Sequence, residues 1–283
     1  MFGTFDLTKP SRCILGLPCY KSSSYQRDKL EQLEDLVKVL YSPVWPRHLP
    51  NMKIVDALAK TGDGIYQKAC FSCHPLIKPA RDHPHRNAGD RLVPLTKDPE
   101  NPDLPPLTTD SKMTDNFNFR LFEQELQSGI LLERQIGLSP FERFGKTTNG
   151  NSVFRHVVTG VFLGKGRHDT NALTQDREAL KEAAPEKGYK ARSLNGIWAT
   201  APYLHNGSVP NLRMLLEKDR DRRGFWVGND TFDPVNVGLS TEQGPRSFWF
   251  DPTKEGNRNT GHPFGVDLTP DEKKALLEYL KTL

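Results

Sequence analysis

Cys70-Phe71-Ser72-Cys73-His74 is the stretch on which the reading of this chain turns. Two cysteines separated by two residues and followed at once by a histidine form the pattern of a covalent c-type haem attachment. The thiols of Cys70 and Cys73 add across the two vinyl groups of one porphyrin, and His74 falls beneath the iron as its proximal ligand. Such a pair has two other uses, a redox dithiol or half of a zinc site. Zinc normally takes four protein ligands, or three and a water, and no second closely spaced Cys/His pair stands nearby. A thioredoxin-type dithiol belongs in a βαβ setting, which the flanking sequence does not supply. The motif occurs once, so it implies one covalent haem c.

Working outward, a helix is expected from about Ile54 into the motif, with Ile54, Leu58, Ile65 and Tyr66 on its apolar side. Gly62 and Gly64 weaken its middle and leave room for another helix or a break. Upstream, Leu30, Leu33, Val37 and Leu40 recur at helical spacing over 28–40, until Pro43 and Pro46 end the element. Residues 75–112 read as proline-rich loop. A further helix is expected over 117–136, with Phe122, Leu126 and Leu131 among its buried residues, and another over 174–184, closed by Pro185. The stretch 141–162 is ambiguous, with 157–162 a candidate short strand that has no obvious sheet partner. The last helix is the clearest: Thr269, Pro270, Asp271 and Glu272 supply a cap, a proline at the first position and a capping-box acid, ahead of Leu276, Leu277, Leu280 and Leu283.

The chain has 283 residues, room for two domains or for one core with long excursions. Hydrophobic content of 36% beside 22 glycines and 22 prolines suggests helices joined by long irregular loops rather than disorder. The expected organisation is a lead-in or linker with one helix over 1–49 and a haem domain over 50–283. No apolar run is long enough to cross a membrane, and interspersed charges argue against nucleic acid as a partner. The formal charge of +4, lowered by haem propionates, leaves room for a basic face that steers an acidic redox partner. Met1-Phe2-Gly3-Thr4-Phe5-Asp6 lacks the basic start and apolar segment of a secretion signal. Covalent haem attachment nevertheless implies a periplasmic or extracellular protein, with its targeting segment removed or carried by a longer product. Cys13 and Cys19 either form a local disulfide there or stay as two thiols.

The sixth ligand decides the chemistry. His48, His83 and His85 lie in proline-rich loop, His156 in an ambiguous segment and His168 in an exposed-looking turn. His205 sits in the turn 201–210, rich in hydrogen-bonding groups, and His262 in a loop flanked by Gly261 and Gly265 that lets backbone approach a flat porphyrin face. Met113 and Met214 are further candidates, although Met214 lies among Leu212, Leu215 and Leu216 as a core residue would. A second histidine favours electron transfer at low potential, whereas an open position admits peroxide or oxygen. Arg192 is eligible as a charge partner for a haem propionate, with an ordinary surface arginine as the plainer alternative.

Three blocks together carry a family resemblance. Gly62-Asp63-Gly64-Ile65-Tyr66 leading into the attachment motif resembles the opening of class I cytochrome c domains. The segment from Leu194-Asn195-Gly196-Ile197-Trp198 to Pro202-Tyr203-Leu204-His205-Asn206-Gly207-Ser208-Val209 is similar to one in bacterial di-haem cytochrome c peroxidases and their relatives, and 265–283 is similar to their closing helix. The lead Tyr189-Lys190-Ala191-Arg192 and the loop Asn259-Thr260-Gly261-His262 bring the chain nearer the branch that contains the di-haem rubber oxygenases. The resemblance covers roughly 50–283. It implies a mainly α, class I cytochrome c-like domain with long irregular loop insertions, and an iron held between His74 and His262. It also implies a structural place near the haem for His205 and a packing place near the porphyrin for Trp198, for which a core aromatic is the plainer role. Relatives carry two attachment motifs and this chain has one. It is therefore expected to act as a one-electron relay, with a redox partner protein or second haem domain, before it acts as a peroxidase or oxygenase.

Overall fold

The computed structural model describes residues 11–12, 18–19, 27–38, 41–76, 91–94, 106–119, 121–123, 147–149, 188–218, 222–229 and 231–283, with backbone alone at some helix and strand positions. In chain order the elements are β1 (Ser11–Arg12), β2 (Pro18–Cys19), α1 (Arg27–Lys38), α2 (Asp56–Ala69), β3 (Arg91–Pro94), α3 (Lys112–Phe119), β4 (Leu121–Glu123), β5 (Thr147–Asn149), β6 (Gly188–Ala191), α4 (Leu212–Leu215), β7 (Phe225–Val227), β8 (Phe232–Asp233), β9 (Gly238–Leu239), β10 (Phe248–Phe250) and α5 (Pro270–Leu280). The chain divides into two compact units, Met1–Asp35 with Thr114–Glu186 and Leu36–Met113 with Lys187–Leu283. Described parts of the first include the antiparallel pairs β1–β2 and β4–β5. The second holds the attachment motif.

The frame of that second unit is the crossing of α2 and α5. Thr269 starts α5 as anticipated: its hydroxyl accepts the Glu272 N–H, and the Glu272 carboxylate accepts the Thr269 N–H at 2.8 Å. Ala275, Leu276, Leu277 and Leu280 are its buried apolar face, and α2 turns Ala59, Gly62 and Tyr66 inward. A β-carbon on Gly62 would lie 2.1 Å from the Ala275 carbonyl oxygen and 2.7 Å from the Tyr279 Cβ, so only glycine permits this approach. Gly64 has nothing within 4 Å and plays no such part. Tyr66, fully buried, packs on Tyr279 with ring centroids 5.2 Å apart.

Trp45, Tyr203, Val209, Leu212, Leu216 and Val237 complete the core. Burying each large side chain contributes about 1.5–3 kcal/mol. The end of α5 is also tied to the chain entering α2. Glu278 accepts the Val55 N–H at 2.7 Å and pairs with buried Lys281 at 2.6 Å. Two charges out of water are costly, and it is these hydrogen bonds that offset the loss of hydration.

The expectation of a mainly α fold does not hold. Among the described residues the helices are five and short, and ten strands form five two-stranded antiparallel sheets. Strands of two to four residues are too brief to display period-two alternation, so their segments read as loop. β3 lies inside the stretch read as loop and pairs with β6, Arg91 opposite Ala191. β7 and β10 are held by cross-strand aromatics, Phe225 stacked on Phe250 at 5.2 Å and Trp226 edge-on to Trp249 at 5.5 Å. The helix expected over 117–136 is also corrected: α3 covers Lys112–Phe119, and Leu121–Glu123 is a strand. On the apolar stripe of α1, Leu33 is exposed at 54% and Val37 at 48%, Leu30 is half-buried, and Leu40 lies outside the described residues. Residues 124–136, the candidate strand over 157–162, the helix expected over 174–184 and the side chains of Cys13 and Cys19 lie outside the described residues.

Candidate haem site

The end of α2 delivers the attachment motif. The Cys70 N–H donates to the Tyr66 carbonyl at 2.9 Å, and the His74 N–H to the Cys70 carbonyl at 2.9 Å, so Cys70 to His74 form one tight turn. The Tyr66 hydroxyl reaches over this turn and donates to the His74 carbonyl. Neither cysteine is in a disulfide; Cys73 is buried and Cys70 partly so. Burial, and then the neighbouring Cys73, push the Cys70 thiol up to about 11. Among the described residues no group of three His, Cys, Asp or Glu side chains is gathered as a zinc site requires.

His74 is oriented from β6. Its Nδ1 lies 2.6 Å from the main-chain carbonyl of Arg192, the residue that follows the strand. With Nδ1–H donated there, the lone pair stands on Nε2, the tautomer of a metal ligand held by an outer hydrogen bond. Burial lowers the His74 pKa, and the Arg192 hydrogen bond opposes that. Arg192 thus meets the site through its carbonyl, and the residue is exposed.

His262 comes from the other end of the unit. Gly261 and His262 are both left-handed, with φ of 81° and 54°, a conformation that costs a side-chain-bearing residue about 1 kcal/mol. A β-carbon on Gly261 would lie 2.2 Å from the Leu107 carbonyl oxygen and 2.4 Å from the Thr109 nitrogen, and the His262 N–H donates to that same Leu107 carbonyl at 2.9 Å. The loop is therefore seated on 107–109. Burial, and then repulsion from a protonated His74 and from the Arg222 guanidinium, push the His262 pKa down to about 3, so its imidazole is neutral. Its Nδ1 is buried with no hydrogen-bond partner among the described residues.

The rings of His74 and His262 stand with centroids 6.3 Å apart, tilted by 43°. Metal–imidazole bonds of about 2.0–2.1 Å would leave room for one metal ion between rings at this separation. Two neutral imidazoles at that spacing, beside two cysteines on one turn, fit a covalently attached haem.

The other anticipated residues lie around this pair. His205 stacks on Tyr189, centroids 4.0 Å apart and 14° between planes, with its Nε2 buried and unpartnered among the described residues. The Tyr189 hydroxyl donates to the Asp110 carbonyl at 2.8 Å. Asn206 and Ser208, from the same turn as His205, donate to the Arg258 carbonyl at 3.0 and 3.2 Å, which joins that turn to the loop leading to His262. Trp198 packs edge-on to Trp45 at 5.2 Å and to Phe232 at 6.2 Å, with its Nε1–H donated to the Pro43 carbonyl. Met214 packs against the core, Met113 is exposed at 58%, and His48 lies on an exposed turn. His83, His85, His156 and His168 lie outside the described residues.

Two residues escaped the sequence. Asp110, 7% exposed, accepts the Lys112 N–H at 2.8 Å and the Gly256 N–H at 3.1 Å, bringing the 107–112 segment to the loop before His262. Arg222 is 5% exposed although it sits in the charged run Glu217-Lys218-Asp219-Arg220-Asp221-Arg222-Arg223, where nothing in the pattern separates it from solvated neighbours.

Residues 188–227 match the family described as RoxA-like, cytochrome c-like. The matched segment runs from β6 through the His205 turn to β7. A cytochrome c-like domain implies a haem cofactor. Two proteins of Sinorhizobium fredii (strain NBRC 101917 / NGR234) are similar to this chain. The uncharacterized protein y4iJ is 32% identical over 267 residues, 86% of this chain and 41% of the relative. The uncharacterized protein y4iM is 36% identical over 118 residues, 34% of this chain and 27% of the relative. The chain thus spans about two fifths of the first relative's length. Among the described residues no helix is long and apolar enough to cross a membrane.

Proposed function

We propose that this chain is a c-type cytochrome that carries one haem through Cys70 and Cys73, with His74 and His262 as the two axial ligands, and that it works by one-electron transfer. The observation that carries this reading is the 6.3 Å separation of the two imidazoles beside the attachment turn. A haem supplies a one-electron iron couple, and bis-histidine ligation sets it lower than Met/His ligation does. The chain's own residues orient and protect the ligands. The Arg192 carbonyl holds the Nδ1 proton of His74, and the Tyr66 hydroxyl fixes the carbonyl of the same residue. Burial keeps His262 neutral, the form that ligates. Covalent attachment favours a periplasmic or extracellular location, and the partner is a redox protein or a second haem domain.

The test is the absorption and EPR spectrum of the purified holoprotein. Low-spin, six-coordinate ferric iron is expected, with haem that stays on the chain under denaturing conditions. A five-coordinate high-spin resting state would sink the ligation.

The resemblance to di-haem peroxidases and rubber oxygenases gives a second reading, an oxidoreductase that acts on peroxide or that cleaves an olefinic substrate with oxygen. Turnover of either by this chain alone distinguishes it. Spectral change on adding cyanide or peroxide shows access but not turnover.

A further inference from the structure

Arg222 has a role that its place in a charged run conceals. Its guanidinium is buried and spends its donors on main-chain carbonyls from two separate parts of the unit. Nε donates to Glu217 at 3.0 Å and Nη2 to Leu215 at 2.9 Å, both at the end of α4. Nη1 donates to Asn259 and to Gly261, each at 2.7 Å, and Nη2 reaches the His262 carbonyl at 3.5 Å. One planar group thus clasps the end of α4 to the loop that bears His262. The loop needs a clasp. Gly261 and His262 are left-handed in succession, and the Arg222 hydrogen bonds to the Asn259 and Gly261 carbonyls are buried, where a lost donor leaves an acceptor unpaired. An ammonium group, a point charge with three donors, cannot reproduce a five-donor fork aimed at five fixed acceptors.

We propose that Arg222 is the positioning residue for the second axial ligand: by fixing the carbonyls at 259, 261 and 262 it holds the His262 imidazole opposite His74 and keeps the sixth position closed. This rests on the bis-histidine reading above. Loosening the clasp lets His262 leave the metal without unfolding the unit, so the effect appears as ligand exchange at temperatures well below melting.

The experiment compares the ferric holoprotein with Arg222→Lys, Arg222→Gln and, as a control on the same loop, Arg258→Gln, whose residue is exposed. Cyanide is the probe, because it enters only when His262 departs. Both Arg222 variants are expected to bind cyanide at least about tenfold faster, the change that loss of one charge-assisted hydrogen bond produces, and to show a high-spin EPR component. Arg258→Gln is expected to keep the wild-type rate. Where Arg222→Gln does not accumulate, Arg222→Lys, which retains the charge and part of the donor set, carries the test. Folded Arg222 variants with wild-type cyanide rates and wholly low-spin spectra overturn the positioning role alone. A wild-type protein that is already high-spin overturns the bis-histidine reading and this inference together.

Discussion

Gly62 on α2 and Ala275 on α5 approach so closely that a β-carbon at position 62 would stand 2.1 Å from the Ala275 carbonyl oxygen. The contact lies on backbone, which cannot swing aside as a flexible side chain can. Gly62→Ala is therefore expected to force the helices apart and to cost about 2–3 kcal/mol. Gly64, two residues along the same helix, is open to solvent, so Gly64→Ala is expected to stabilise the helix by about 0.5–1 kcal/mol. Denaturant titration of the two variants checks both signs; a neutral Gly62→Ala would show that the crossing is looser than described.

His262 is expected to determine spin state and potential. His262→Ala leaves a cavity over the iron and should convert the ferric spectrum from low to high spin. His262→Met should keep six ligands and raise the midpoint potential, because thioether ligation favours the reduced iron. Spectra of both variants that match the wild type would remove His262 from the coordination sphere.

The cysteines are expected to act as two covalent tethers. Each single variant, Cys70→Ala or Cys73→Ala, should retain haem on a denaturing gel through one thioether, with a shifted pyridine haemochrome band. The double variant should release it. Haem that stays with the chain in the double variant would place the attachment elsewhere.

His205 is expected to make stability depend on pH. Burial lowers its pKa from 6.5, with Asp110 opposing. A histidine whose folded pKa lies below its unfolded value binds protons better when unfolded. Its stabilising effect is complete above about pH 6.5 and is lost as pH falls through that value towards the folded pKa. His205→Phe keeps a ring against Tyr189 and removes the titration. The difference in unfolding free energy between wild type and this variant should therefore shift in the variant's favour from pH 7 to pH 5. A pH-independent difference would mean that His205 is not buried neutral.

The motif from Cys70 to His74, the capping box at Thr269 and the helix over α2 were legible because each is local: spacing, capping chemistry and a 3.6-residue period operate within a few turns of chain. The short strands were not legible. β3 and β6 bond across most of the unit, and four residues carry no alternation that tells a ladder from a loop. The mainly α expectation failed for that reason. Gly62 was legible as a candidate for close approach, but Gly64 looked the same until α5 was in place beside one and not the other.

The sequence by itself supplied the five contiguous residues, Cys70 to His74, on which the proposed covalent haem and its first axial ligand rest. It also carried His262 as a candidate, through glycines that let a loop come close to a flat surface. Only the tertiary structure brought that ring to a centroid separation of 6.3 Å from His74 and put the Arg192 carbonyl on the His74 Nδ1. Only there does Arg222 separate from the arginines beside it. Burial and hydrogen-bond convergence depend on which distant segments meet, and no spacing along the chain records that.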